Sequence, residues 1–238
     1  IQNTIIGGNA GDALTDADAN VAVGYLALSS DTLGSDSVAI GRSALESQNF
    51  TTATAAYNVA VGRSAGVNLT TGVRNTLIGA FSGDALTTGS NNIAIGLNAL
   101  TTEDAGDFNI AIGSETLEAQ DAGDAYNIAI GYAAGKAVSS GIYNTFVGGL
   151  AGNDNTIGQR NIAVGLQALN QNTASDTNIA VGVNALRKHN LTTTGDAFNV
   201  AVGDEAGAEI TTGVYNTLIG GLAGDVLTDA DENVAIGL

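Results

Sequence analysis

Apolar and polar positions alternate in a short phrase that returns along the whole chain: Asn, a branched residue or Thr, an apolar residue, Ile or Val, then Gly. It occurs fourteen times, from Asn3 to Gly7 through to Asn233 to Gly237, and Ser37 is the one replacement of its Asn. Successive closing glycines lie 17 residues apart, except for one step of 18 and two of 21. The two long steps stand 141 residues apart, and LTTGVRNTLIGAFSGDALT at 69–87 is answered by ITTGVYNTLIGGLAGDVLT at 210–228. A period of two predicts a strand with unlike faces. A strand this short cannot bury itself, so the repeats must stack with their strands parallel, each completing its neighbour's ladder. The pattern therefore predicts an all-β chain, a parallel β-solenoid (β-roll) of fourteen coils of about 17 residues. Residues 1–238 read as a single repeat domain: one block of eight coils and 141 residues, then an incomplete second copy.

In ten coils the phrase runs large, small, large, as in Val59, Ala60, Val61. The branched residues Val59, Val61, Ile78, Ile95 and Ile112 are expected to face one core. The small face of Ala60, Ala94, Ala111 and Ala129 is expected to lie against a neighbouring chain or a closely packed second wall. About one large aliphatic and two branched residues per coil make a thin core for one chain, so three copies around one axis are expected. Coils one, five, nine and thirteen reverse the order, with Thr followed by Ile5, Leu77, Phe146 or Leu218.

Past the closing Gly, the fourth place is either Leu or Gly, and the seventh compensates. Beside a Leu, such as Leu28 or Leu45, the seventh residue is polar; beside a Gly it is apolar in six of seven coils, Asn155 being the exception. The spacing of three, four and seven also allows one helical turn, best in SETLEAQ at 114–120 and VNALRKH at 183–189. The recurring Asn suits a ladder of amides that also satisfies turn backbone. Six of the eleven aromatics immediately precede it and read as a packing stripe. The four extra residues of each long step, within 46–57 and 187–198, are expected to bulge and to carry ligand contacts.

The segment SDSVAIGRSAL around Val38, Ala39, Ile40 and Gly41 resembles the head repeat of trimeric autotransporter adhesins of the YadA-like type. The longer units, such as residues 57–100, resemble more closely the repeats of phage tail fibres and related bacterial fibre proteins. The resemblance covers nearly the whole chain, although adhesin heads use shorter coils. It implies a homotrimeric segment of an extracellular fibre, on a virion or a cell surface. Such a segment positions a receptor-binding tip or itself attaches to a cell-surface receptor or glycan. A bacterial surface adhesin or self-assembling filament is the alternative, and an enzyme acting on polysaccharide in an interchain groove a more distant one. The chain reads as a piece of a longer fibre.

Composition narrows the chemistry. There is no Cys and a single His, which excludes disulfides, thiolate metal sites and paired-His sites. Seven cationic side chains against 24 carboxylates give a net charge of -17, which disfavours nucleic acid, and no apolar run is long enough to span a membrane. Gly62 to Gly66 formally match the G-x-S-x-G nucleophile elbow, but three of those places belong to the repeat, so Ser64 is not read as a nucleophile and no catalytic site is expected. The one candidate ligand set is acidic: Asp12, Asp16 and Asp18, echoed by Asp225, Asp229 and Asp231. Oxygens at alternating places suit calcium, and a solvated turn is the simpler reading of the same residues. No other cofactor is expected.

Overall fold

A computed structural model describes residues 2–237, which form two compact units, residues 2–114 and 115–237. Each is a parallel β-solenoid holding seven of the repeat strands. In the first, Thr4–Ile6 pairs with Val21–Val23, and the pairing passes coil by coil to Ile110–Ile112. In the second it runs from Ile128–Ile130 to Val234–Ile236. The register is strict: Ala39 lies beside Ala60, Leu77 beside Ala94, Phe146 beside Ala163.

The small face packs on a second wall, one of the two alternatives the sequence offered, but the branched face does not form the core. Ala60, Ala94, Ala111 and Ala129 have no exposed surface within a single chain, whereas Val59, Val61, Ile95 and Ile112 are half-buried and Ile78 is exposed. The small side points inward because the coil closes on itself and supplies its own second wall. That wall is the fourth place, where Leu28, Leu45, Leu100, Leu117, Leu169 and Leu186 are fully buried. Where the strand centre is bulky, the fourth place is Gly, since a Cβ on Gly66 or Gly83 would come within 2.7 Å of Leu77. A Cβ on Gly152 would meet the ring of Phe146 at 2.5 Å. Volume is thus conserved level by level, as close packing requires. Asn155, the polar seventh residue beside a Gly, joins a buried amide chain, donating to Gly158 O at 3.0 Å and accepting from Asn172 Nδ2 at 2.9 Å.

No helical turn forms among the described residues. SETLEAQ and VNALRKH are turns in which the second and fourth places adopt left-handed conformation: Glu115 at φ 61° and Leu117 at 45°, Asn184 at 57° and Leu186 at 48°. Each such residue reverses the helical twist, and together they bend the coil round its corner. The 3, 4, 7 spacing is the spacing of those corners.

The Asn ladder is present and runs through the backbone. Asn75 N–H donates to Asn58 Oδ1 at 2.9 Å, Asn92 N–H to Asn75 Oδ1 at 3.0 Å, and Asn109 N–H to Asn92 Oδ1 at 2.9 Å. Most of these amides also reach across their own coil, as Asn92 Nδ2 does to Gly106 O at 2.7 Å, whereas Asn178 and Asn233 turn back to Asp176 O and Asp231 O. At Ser37, where the side chain is too short, Gln48 bridges instead. Its Nε2 donates to Ser37 Oγ and to Asp31 Oδ2, and its Oε1 accepts from Asn58 Nδ2 at 2.9 Å.

The long steps rejoin the ladder sooner than expected. Thr54–Ala55 pairs with Gly34–Ser35, and Gly195–Asp196 with Ser175–Asp176, as short second sheets at equivalent places in the two copies. The bulge is confined to exposed tips at Thr51, Thr52 and Ala53 and at Thr192, Thr193 and Thr194.

Candidate functional site

Inversion of the strand places the branched residues on an outer wall. The inter-coil ladder continues past the strands at both ends: Asp36 N–H donates to Asp18 O at 3.1 Å and Ser43 N–H to Tyr25 O at 2.9 Å. Alternate residues of this longer extended stretch share a side. The residue before the Asn, the two branched residues and the residue after the Gly all face outward, while the Asn, the strand centre and the Gly face in. In one coil the outward set is Tyr126, Ile128, Ile130 and Tyr132.

Aromatics mark the rims of this wall. Tyr57 and Tyr143 on one rim are 55% and 53% exposed, and Tyr25 and Tyr132 on the other 56% and 57%. Tyr126 stacks on Tyr143 with centroids 5.8 Å apart, and Phe198 on Tyr215 at 5.6 Å. All six rim residues before the Asn, from Tyr57 at φ 52° to Tyr215 at 60°, hold a left-handed backbone that the ladder imposes. At about 3.3 Å per residue and 4.8 Å per coil, seven coils present an outer wall of roughly 600 Å² in each unit. Scattered exposed aliphatics are ordinary; this strip, broken only by Thr4, Thr76, Thr145 and Thr217 in the strands and by charged residues on its rims, is at the upper end of what monomers expose and is the candidate interaction surface.

Charge is divided in the same sense. Residues 1–114 hold ten carboxylates and three cationic side chains, Arg42, Arg63 and Arg74, and all three arginines lie on the rims of this wall. Among the described residues none of them has an ion-pair partner. Arg63 lies over the ring of Phe81, 5.2 Å from its centroid. In the second unit the cations off this wall are paired, Lys136 with Glu115 at 2.7 Å and Lys188 with Glu209 at 2.6 Å.

The acidic candidates do not converge. Asp12, Asp16 and Asp18 occupy three separate places round the first coil, all exposed. Asp225 is half-buried, while Asp229 and Asp231 are exposed, and one oxygen of Asp231 already accepts from Val214 N–H at 2.8 Å. Among the described residues no three His, Asp or Glu side chains gather closely enough to hold a metal ion. Ser64, half-buried at a left-handed corner, has no acid or base bonded to it, and its backbone N–H donates to Arg42 O.

Sequence reasoning missed His189. It occupies the place of Gln48 in the second copy, fully buried, and neither ring nitrogen has a hydrogen-bond partner because Asn178 restores the amide that Ser37 lacks. Burial pulls its pKa down to about 4, and the nearby Thr211 backbone offsets only part of that. A His whose folded pKa lies below its unfolded 6.5 stabilises nothing by protonation. The fold keeps its full stability above about pH 6.5 and loses it as pH falls toward 4, by about 3 kcal/mol from this group. Urea midpoints measured between pH 7 and 4 should fall less steeply for His189→Gln than for the unaltered chain; parallel slopes would show the imidazole to be solvated.

No family model, no curated protein and no solved structure matches the chain. What defines its class is the repeat itself: a parallel β-solenoid built of tandem coils.

Proposed function

We propose that the chain is a structural segment of an extracellular fibre, of the phage tail-fibre kind, in which three copies join through their outward Val/Ile walls. In this reading the segment is not an enzyme; it positions a receptor-binding tip or itself attaches to a cell surface, through a protein receptor or a glycan. The observation that carries this reading is the wall: a ribbed apolar strip, rimmed by tyrosines, on a chain whose remaining surface is strongly acidic. An apolar area of that size needs a cover, and a repeat offers the same cover at every level. The exposed Thr-rich tips at 51–53 and 192–194 are the places from which a surface ligand is reached.

Light scattering on the purified chain at micromolar concentration is expected to give a mass of about 71 kDa, three times the 23.6 kDa chain. Substituting Ile95 and Ile112, both outward, by Glu should release monomers that keep their strand circular dichroism. A monomeric unaltered chain would remove this reading. A bacterial adhesin or self-assembling filament uses the same wall, and differs in whether the oligomer closes at a fixed mass or grows with concentration.

A further inference from the structure

Every cationic side chain of the second unit holds a carboxylate: Lys136, Arg160, Arg187 and Lys188 each have one at 2.6 to 3.2 Å. Arg42, Arg63 and Arg74 have none among the described residues, although ten carboxylates share their unit. Two of these three are neighbours. Ser43 N–H donates to Tyr25 O, Ser64 N–H to Arg42 O and Phe81 N–H to Arg63 O, each at 2.9 Å, so Tyr25, Arg42 and Arg63 form one column on three successive coils. The two arginines are exposed and one strand spacing apart, about 4.8 Å at the backbone, and like charges placed side by side on paired strands repel.

The scaffold does not require this repulsion. In the second copy the places of Tyr25, Arg42, Arg63 and Phe81 are taken by Leu166, Val183, Asp204 and Leu222, on coils paired in the same register. The column is also partly fixed in place. Tyr25, 56% exposed, is backed by the coil before it, since a Cβ on Gly8 would lie 3.5 Å from its Cδ2. Arg63 is held toward the coil after it by the ring of Phe81, and Arg42 stands between them, exposed and unpaired. One aromatic ring and two guanidinium groups thus share a stretch of roughly 10 Å, two strand spacings.

We propose that Tyr25, Arg42 and Arg63 form a binding site for an acidic sugar, a carboxylate-bearing unit of a surface glycan. The guanidinium forks match a carboxylate, and the apolar face of a sugar ring packs on the Tyr25 ring. A peptide fits less well, because the backbone of this rim is spent on the inter-coil ladder and offers no edge for strand addition. The net charge of -17 adds selectivity: it repels an anionic chain from the rest of the surface. At physiological salt that repulsion is screened beyond about 8 Å, so at contact the two arginines prevail. This gives the attachment reading above its ligand and rests on that reading for its role, although the site lies within one chain and needs no second copy.

An array of immobilised glycans, with uronate- and sialate-bearing chains beside their neutral counterparts, tests the site on the whole chain. Binding is expected on carboxylated glycans alone. Arg42→Ala and Arg63→Ala should each weaken it about tenfold or more, the loss of a charge-assisted hydrogen bond. Tyr25→Ala should weaken it as well, and Arg74→Ala, on the opposite rim, should leave it unchanged. Equal binding to neutral glycans, binding to no carboxylated one, or binding indifferent to Arg42 and Arg63 overturns the site. So does a fall in oligomer mass on Arg42→Ala with glycan binding unaltered, which assigns the rim to contact between copies. Light scattering on the same samples keeps the two readings apart: a trimer that binds no acidic glycan overturns the site alone, and a monomer that binds one overturns the trimer alone.

Discussion

Gly62→Ala is expected to destabilise the first unit by about 3 to 5 kcal/mol, far more than a methyl group ordinarily costs. Gly62 adopts φ 140°, a region closed to residues with a Cβ, and that Cβ would lie 2.5 Å from Gly79 O in the next coil. The obstacle is backbone held by its own ladder, so no side chain can turn aside. Gly123→Ala provides the contrast: its φ of 68° carries a modest strain of about 1 kcal/mol, and nothing lies within 4 Å of the added methyl. Urea unfolding of both variants measures the difference. Equal losses would mean that the coils are spaced loosely enough to admit a Cβ between closing glycines.

Phe146→Ala should cost about 3 to 5 kcal/mol, the range for an aromatic removed from a core that cannot collapse. The ring is fully buried and fills the space left by Gly135 and Gly152 in two successive coils. The walls are held apart by the same hydrogen-bonded ladders, so the void persists. Adding Gly152→Leu is expected to recover at least half the loss. The double variant reproduces the composition of the next coil, Ala163 with Leu169 and Asn172, and Leu169 already tolerates φ 51° at the equivalent corner. If the second substitution deepens the loss instead, the fourth place and the strand centre do not share one volume.

Most of the fold was legible because a repeat states its own geometry. The closing glycines give the coil length, and the alternation of Asn, Ala and Gly with branched residues gives the strand. The 141-residue echo gives the equivalence of Gln48 and His189. The amide ladder also followed from one Asn per coil, and its break at Ser37 was visible as an exception, although its repair by Gln48 was not. Little of the outward wall, the candidate interaction face, was legible as such. The rim aromatics were recognised as a stripe, but their place on the same wall as Val59 and Val61 depends on a ladder that continues through left-handed residues, which period-two reasoning does not anticipate. The helical turn failed for the same cause, since Leu117 and Leu186 sit at corners that only left-handed backbone makes.

The sequence by itself determined that the chain stacks parallel strands in strict register, where each strand lies, and that one of its faces is small and the other branched. Alternation encodes that two faces differ; it does not encode which of them is inside. That choice belongs to the tertiary structure. A 17-residue coil bent by left-handed corners brings its two walls together until, opposite a Leu, only a methyl fits between them. Ala60 and Ala94 therefore go in, and Val59 and Ile95 are left facing outward.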